Sequence, residues 1–219
     1  MSGTHLSDNV LADQLAQGLE TLGMDLPGQC IEQLLAYLAL MERWNRVYNL
    51  TAVRKPAQMV VRHLLDSLAV VPYLDETPLL DVGTGPGLPG IPIAITRPDK
   101  NILLLDSNSK KIRFVNQVLI DLGIYNATAI QTRAEQHQSE TGFGEIISRA
   151  FASLTDFVTG SGHLCSAEGR LLAMKGIYPE QELDELPAPW ALEESIRLEV
   201  PKLGEERHLL ILKSKPSAN

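Results

Sequence analysis

The chain has 219 residues, 44% of them hydrophobic, and a formal net charge of −8. That length and apolar share suit a globular protein with a sizeable core, held as one domain or as a core of about 150 residues with an appendage. No apolar run approaches the ~18 residues of a membrane span, the first residues show no basic stretch followed by an apolar one, so no signal peptide is expected, and Cys30 and Cys165 are isolated and match no metal spacing; a cytoplasmic protein with reduced thiols and no metal is expected.

Residues 1–76 read as a helical extension. Val10, Leu11, Leu15 and Leu19 space as one apolar face, and Ile31, Leu34, Leu35, Leu38 and Met41 as a second that ends near Trp44. Asn45 to Val53 break the period, with a turn at Asn49-Leu50-Thr51. A third helix is predicted from about Pro56 to Tyr73, with Val60, Val61, Leu64, Leu65, Leu68 and Val71 inward. Its other face carries Arg62, His63, Asp66 and Ser67. The four-residue spacing of Arg62 and Asp66 predicts a solvated ion pair there.

From residue 78 strands and helices alternate, which predicts a parallel sheet with helices on both faces. Strands are expected at 78–82, 101–105, 127–131, 145–149 and 170–174. Ser107 or Asn108 caps a helix that buries Ile112, Val115, Val118, Leu119 and Leu122, turns Lys110, Lys111 and Arg113 to solvent, and stops at Gly123. A short helix comes next at Glu180 to Leu186. The runs Glu194 to Val200 and His208 to Lys213 then form an edge hairpin. Five parallel strands closed by a hairpin whose last strand inserts antiparallel is the α/β layout of the methyltransferase variant of the Rossmann fold. The expected units are a helical extension, 1–76, and a domain with a mostly parallel seven-stranded sheet, 77–219, together one compact body.

The stretch from Leu79 to Gly90, L-L-D-V-G-T-G-P-G-L-P-G, organises this layout. A buried strand runs into glycines at 83, 85, 87 and 90, then into a helix start. Glycines permit positive φ and let a ligand approach bare backbone. Asp106 ends the next apolar run, near the roughly 20-residue offset of a ribose-binding carboxylate. Two registers fit. Gly85 to Gly90 match the dinucleotide pattern G-x-G-x-x-G, and Gly83 to Gly87 match the G-x-G-x-G of adenosylmethionine enzymes. Pro86, Pro89 and Pro92 carry no amide hydrogen, so donors are missing where a pyrophosphate needs them. A phosphate-free nucleoside loses little by that, which favours adenosylmethionine.

Ligands of open α/β sheets lie at the C-terminal strand ends. Asp81, Gly83, Asp106, Arg133, Ala134, Glu135, Ser148, Arg149, Ala150, Lys175 and Gly176 are expected there. Asp106 suits ribose hydroxyls, and Glu135 with its neighbouring amides suits the edge of an adenine. A guanidinium at the end of a central strand needs an anionic partner. For Arg149 the methionyl carboxylate, a phosphate or Asp81 would serve. Phe151 is either a stacking surface for a target base or a core aromatic.

Six blocks carry a resemblance: N-L-T-A-V-R at 49–54, R-H-L-L-D-S at 62–67, D-V-G-T-G-P-G-L-P-G-I-P at 81–92, L-L-D-S at 104–107, I-S-R-A-F-A-S-L at 147–154 and G-E-E-R-H-L at 204–209. Over roughly residues 30–215 the chain resembles the RsmG (GidB) family, bacterial class I methyltransferases acting on N7 of a guanine in the decoding region of 16S rRNA. The family's last block has one glutamate fewer, a difference expected to affect only loop length. The resemblance implies that Gly83, Leu88, Ala134, Glu135 and Arg149 bind S-adenosylmethionine, and that Asn49, Arg62, His63 and Arg207 meet the RNA. It also implies 16S rRNA as partner, in the 30S subunit or an assembly intermediate; a monomer is expected. A guanine N7 has an exposed lone pair and needs no general base. No D/N-P-P-Y stands after the fourth strand, and no cysteine sits where carbon-5 methylation needs one. A small-molecule methyltransferase on the same fold, a cofactor-binding regulator without turnover and a nicotinamide enzyme are the competing readings. Acidity collects at the ends, with five acids and no Lys or Arg in 1–40 and eleven acids against seven bases in 151–219. Such a chain would bind RNA through a local patch and would not coat it indiscriminately.

Overall fold

The computed structural model describes residues 3–149 and 151–215, with side chains from residue 9 onward. Two helices open it, α1 (Gly3–Thr21) and α2 (Gly28–Tyr48). Leu15, Leu19, Leu34, Leu38 and Met41 are buried as their spacing predicts, but Val10 is 63% exposed. Leu11, Leu15 and Leu19 form a stripe four residues apart, and Val10 lies about 100° round the helix from Leu11.

The expected single helix from Pro56 to Tyr73 is interrupted. Residues form α3 (Pro56–Met59), a π-helical turn (Val60–Leu65), α4 (Asp66–Leu68) and a 3-10 turn (Val71–Tyr73). A π turn inserts a residue and rotates the helix beyond it. Both faces of the segment end up buried: Val60, Leu64, Leu65 and Leu68 on one, and His63, Asp66 and Ser67 on the face expected in solvent. The second face is covered because the ends of two strands bring Arg149 and Arg207 onto Asp66.

The sheet contains β1 (Leu79–Val82), β2 (Ile102–Asp106), β3 (Ala127–Gln131), β4 (Phe143–Ser148), β5 (Cys165–Lys175), β6 (Trp190–Arg197) and β7 (His208–Ser214). Between them lie α5 (Gly90–Thr96), α6 (Ser109–Asp121), α7 (Leu154–Ser161) and α8 (Glu180–Asp184). The strand order is β3-β2-β1-β4-β5-β7-β6. β1 to β5 run parallel, and β7 pairs antiparallel with β5 and β6, the arrangement expected. β4, β5 and β6 start earlier than predicted. In each the extra residues lie beyond a register slip, between Phe143 and Glu145 or between Leu192 and Glu194, where the period of two is broken. Ala150, expected at the end of the fourth strand, lies outside the described residues.

Neighbouring residues of each central strand enter opposite layers, as a pleated strand requires. Leu79, Ile147, Leu172 and Leu209 join a core shared with α1, α2, the segment after Pro56, α5 and α6. Leu80, Ile146, Leu171 and Leu210 join the layer under α7. The helical extension therefore packs into the same core as one face of the sheet.

A polar cluster unread in the sequence closes the opposite end of the sheet from the glycine loop. Lys100 and Glu145 have fully buried side chains, 2.8 Å apart. Lys100 Nζ also donates to the carbonyls of Asp75 (2.8 Å) and Thr77 (2.6 Å), which occupies its three hydrogens. Glu145 Oε1 accepts from Arg170 Nε at 3.1 Å and from the Asp75 amide at 3.2 Å. Lys100→Met strips a buried carboxylate of one partner and is expected to cost about 3 kcal/mol in chemical denaturation. Lys100→Met with Glu145→Gln removes both charges and should recover part of that loss; a double variant as unstable as the single contradicts this.

Candidate functional site

The loop from Gly83 to Pro89 reverses the chain between β1 and α5. Gly83, Gly85 and Gly87 have φ of 69°, 61° and 98°, conformations that side chains resist. Every amide hydrogen in 83–90 has an acceptor inside the protein. Gly83 and Thr84 donate to Leu105 O (2.8 and 3.0 Å), and Gly87 and Leu88 to Thr84 O (2.9 and 2.8 Å). Gly85 donates to Asp106 Oδ2 and Gly90 to Asp81 Oδ2, each at 2.9 Å. Pro86 and Pro89 have no hydrogen to give. The loop is thus a shaped backbone surface, not a phosphate cradle. From α2, the buried Tyr37 hydroxyl donates to Pro86 O at 2.7 Å and holds it from behind.

Gly83, Asp106, Lys111, Ala134, Glu135 and Phe151 line a cavity of about 300 Å³ at the ends of β1, β2 and β3. Asn108 caps α6 and gives its own amide to Asp106 Oδ1 at 2.8 Å. Asp106 therefore sits rigid, with carboxylate lone pairs still available to hydroxyls. Lys111, expected on the solvent side, turns back to within 3.7 Å of Asp106, whose charge draws it into the cavity wall. Bare glycine backbone, a fixed carboxylate and a flanking aromatic suit a nucleoside without phosphates. Phe151 also packs on Phe157 at 5.1 Å between centroids.

A second cavity, about 340 Å³, lies across the end of β4 and is lined by Arg62, His63, Asp66, Arg149, Lys175 and Arg207, among others. Asp66 is its hub. Its Oδ2 accepts from Arg149 at 3.1 Å and its Oδ1 from Arg207 at 2.9 Å. Asp66, not Asp81, is the carboxylate in contact with Arg149, because the helical segment after Pro56 packs its carboxylate against the strand end. Arg149 Nη1 also donates to Arg62 O at 3.1 Å, so two of its five N–H donors are committed. Arg62 is paired with Glu205 and not with Asp66, and Glu205 also lies 3.5 Å from Arg207. Glu205, in the loop that carries the additional glutamate, thus reaches two arginines of the cavity.

Of the predicted residues, Gly83, Asp106, Ala134 and Glu135 meet in the first cavity, and Arg62, His63, Arg149 and Arg207 in the second. Two stand elsewhere. Leu88 is 2% exposed, its side chain in the core beneath the loop. Asn49 is the left-handed cap of α2 and accepts from Arg54 at 3.1 Å, which explains an asparagine at φ 49° without a ligand. Asp66, Glu205 and Tyr37 escaped the sequence reading as parts of the site. Asp66 alone left a signal, as a carboxylate set among inward leucines.

Two buried groups titrate in opposite senses. Burial raises the Asp81 carboxyl to about 6, against hydrogen bonds from Thr84 and Gly90. Burial and the nearby Arg149 charge lower His63 to about 4, and its Nε2 lies 3.0 Å from Thr51 Oγ1. The Asp81 contribution is complete below its ordinary value of 3.8 and is lost as pH rises through about 6. The His63 contribution is complete above 6.5 and is lost as pH falls towards about 4. Each spans about 3 kcal/mol, so between pH 4 and 6.5 the two oppose one another. His63→Gln should gain stability when pH falls from 7 to 5, and Asp81→Asn should lose it, by urea denaturation at each pH; slopes of the same sign would contradict these assignments.

Residues 30–210 match the family described as GidB: rRNA small subunit methyltransferase G. A protein of Shewanella amazonensis named ribosomal RNA small subunit methyltransferase G is 49% identical over 203 residues, 93% of this chain and 98% of that one. Proteins of the same name from Cronobacter sakazakii and Yersinia pestis are 48% and 51% identical, over 93% and 90% of this chain and 99% and 96% of theirs. Among solved structures, the fold resembles TrmN of Thermus thermophilus (TM-score 0.56, 17% identity, 78% of this chain and 53% of that one). It also resembles a TehB-like SAM-dependent methyltransferase of Corynebacterium glutamicum (TM-score 0.54, 16% identity, 82% and 98%). With this sheet order, a glycine loop that spends all its amides internally and a match over most of its length, the chain belongs to the GidB family of small-subunit rRNA methyltransferases.

Proposed function

We infer that this protein is an S-adenosylmethionine-dependent methyltransferase that methylates N7 of a guanine in 16S rRNA. The observation that carries this is the phosphate-averse glycine loop beside a nucleoside-sized cavity, in a chain of this family. When bound, adenosylmethionine supplies a methyl group on a positively charged sulfur. Gly83 offers it bare backbone, Asp106 its ribose acceptor, and Ala134 and Glu135 the adenine border. Leu88 supports the loop from the core, and Arg149 keeps donors for the methionyl carboxylate. The target nitrogen has its own lone pair, so no side chain has to accept a proton. The protein's work is alignment and tolerance of the charge that the purine gains. Asp66 and Glu205 serve the second, since they offset three guanidiniums in the cavity that the base enters.

Arg62, His63 and Arg207 face the RNA in this reading, with Asn49 at the margin. A phosphate would take the place of Glu205 at Arg62. The substrate is the 30S subunit or an assembly intermediate, because acidic ends disfavour indiscriminate binding to bare RNA. The enzyme acts as a monomer in the cytoplasm, its extension and sheet domain one unit. Among the described residues no helix is long and apolar enough to cross a membrane.

Methyl-tritiated adenosylmethionine, incubated with this protein and 30S particles from cells lacking its gene, should label 16S rRNA at one 7-methylguanosine. Label confined to metabolites would favour a small-molecule enzyme, and no transfer at all would overturn both. Arg149→Ala should weaken cofactor binding by about 1.5–3 kcal/mol in isothermal titration, the worth of a charge-assisted contact. Arg62→Ala should leave cofactor binding intact and lower methylation of 30S particles; parallel loss of both contradicts that division.

A further inference from the structure

Gly176 lies just past the end of β5 and lines the cationic cavity. The next two residues turn outward: Ile177 is 81% exposed and Tyr178 41%. Single apolar side chains on a surface need no explanation, but these are adjacent and follow directly on a residue that lines the cavity. Their turn is held at both ends. Lys175 Nζ donates to Glu182 at 2.9 Å, and the Leu154 amide donates to the same carboxylate at 2.6 Å. Thr155 Oγ1 donates to Glu185 O at 3.2 Å. The short helix α8 is thereby tied to β5 and to the start of α7. Leu183 and Leu186 pack against the core under α7, while Ile177 stays bare. Tyr178 meets the His208 ring edge-on at 5.6 Å, and His208 Nδ1 lies 2.9 Å from Gly176 O.

We propose that Ile177 and Tyr178 form an apolar wedge that covers the base left unstacked when the target guanine enters the cavity. The proposal rests on the rRNA-methyltransferase reading above. Guanine N7 lies on the major-groove edge, which in an RNA helix is too deep and narrow for side chains to reach. A base modified at the strand ends of the sheet has to leave its stack. Its departure bares the face of a neighbouring base, and apolar or aromatic side chains are what cover such faces. Arg62 and Arg207 line the same cavity and supply the cations that backbone phosphates require. The wedge thus combines an apolar tip with a charged surround on a fixed turn.

The test compares the unaltered protein with Ile177→Ser, Tyr178→Ala and the pair combined. Both side chains are exposed, so the thermal midpoint and adenosylmethionine affinity should not change. The combined variant should lose about ten-fold or more in kcat/KM on 30S particles, since base stacking on a side chain carries an effect of that order. With 16S rRNA carrying 2-aminopurine beside the target guanine, fluorescence should stay low on binding the unaltered protein, whose wedge covers that base, and rise on binding the combined variant. Tyr178→Phe should match the unaltered protein in both measurements. Full activity in the combined variant, or equal fluorescence with the two proteins, overturns the wedge and leaves the methyltransferase reading standing. Absence of rRNA methylation by the unaltered protein overturns both.

Discussion

Between β1 and α5 the backbone turns through a stretch in which each available amide hydrogen is used to fix the turn itself. Leu105 O, Thr84 O, Asp81 and Asp106 are the acceptors, so the loop is welded to β2 on one side and to α5 on the other. The glycines supply the positive φ angles and the prolines remove the donors that would be surplus. The result is a bend that can receive the body of a nucleoside but has nothing to hold a diphosphate. Much of the chain braces this bend. Tyr37 reaches it from α2, and Gly90 lets Asp81 and Leu104 close beneath α5, where a methyl group would sit 2.7 Å from Asp81 Oδ2.

The second dependency is Asp66. A carboxylate with 2% exposure, it joins three parts of the chain remote in sequence: the helical extension, the end of β4 and the start of β7. A buried carboxylate of this kind is tolerable only because two guanidiniums share it. In return it fixes both arginines at the cavity wall. The extension therefore lines the cavity and is not merely packed beside it, which its place in the common core reinforces. Net acidity does not prevent a local gathering of cations: Arg62, Arg149 and Arg207 converge here, paired with Glu205 and Asp66.

The layered sheet was legible because its signals are local and periodic. Leu79 and Leu80, Ile146 and Ile147, Leu171 and Leu172 announce strands with both faces buried, and Asn108 and Gly123 mark helix ends by their own chemistry. The glycine loop was legible for the same reason, since missing amide hydrogens are a property of proline itself. The extended starts of β4 and β5 were not, because a register slip interrupts the period that reveals a strand.

Sequence alone thus determined the fold class, the place of the glycine loop and the set of polar residues at the strand ends, all of which arise from backbone chemistry within a few residues. Only the tertiary structure decided which charges meet. Arg62 four residues from Asp66 was the pair that helical spacing offered, yet distant segments supply the partners, Glu205 for one and Arg149 with Arg207 for the other. Ion pairing depends on position in space, and partners from remote segments can displace a neighbour four residues away.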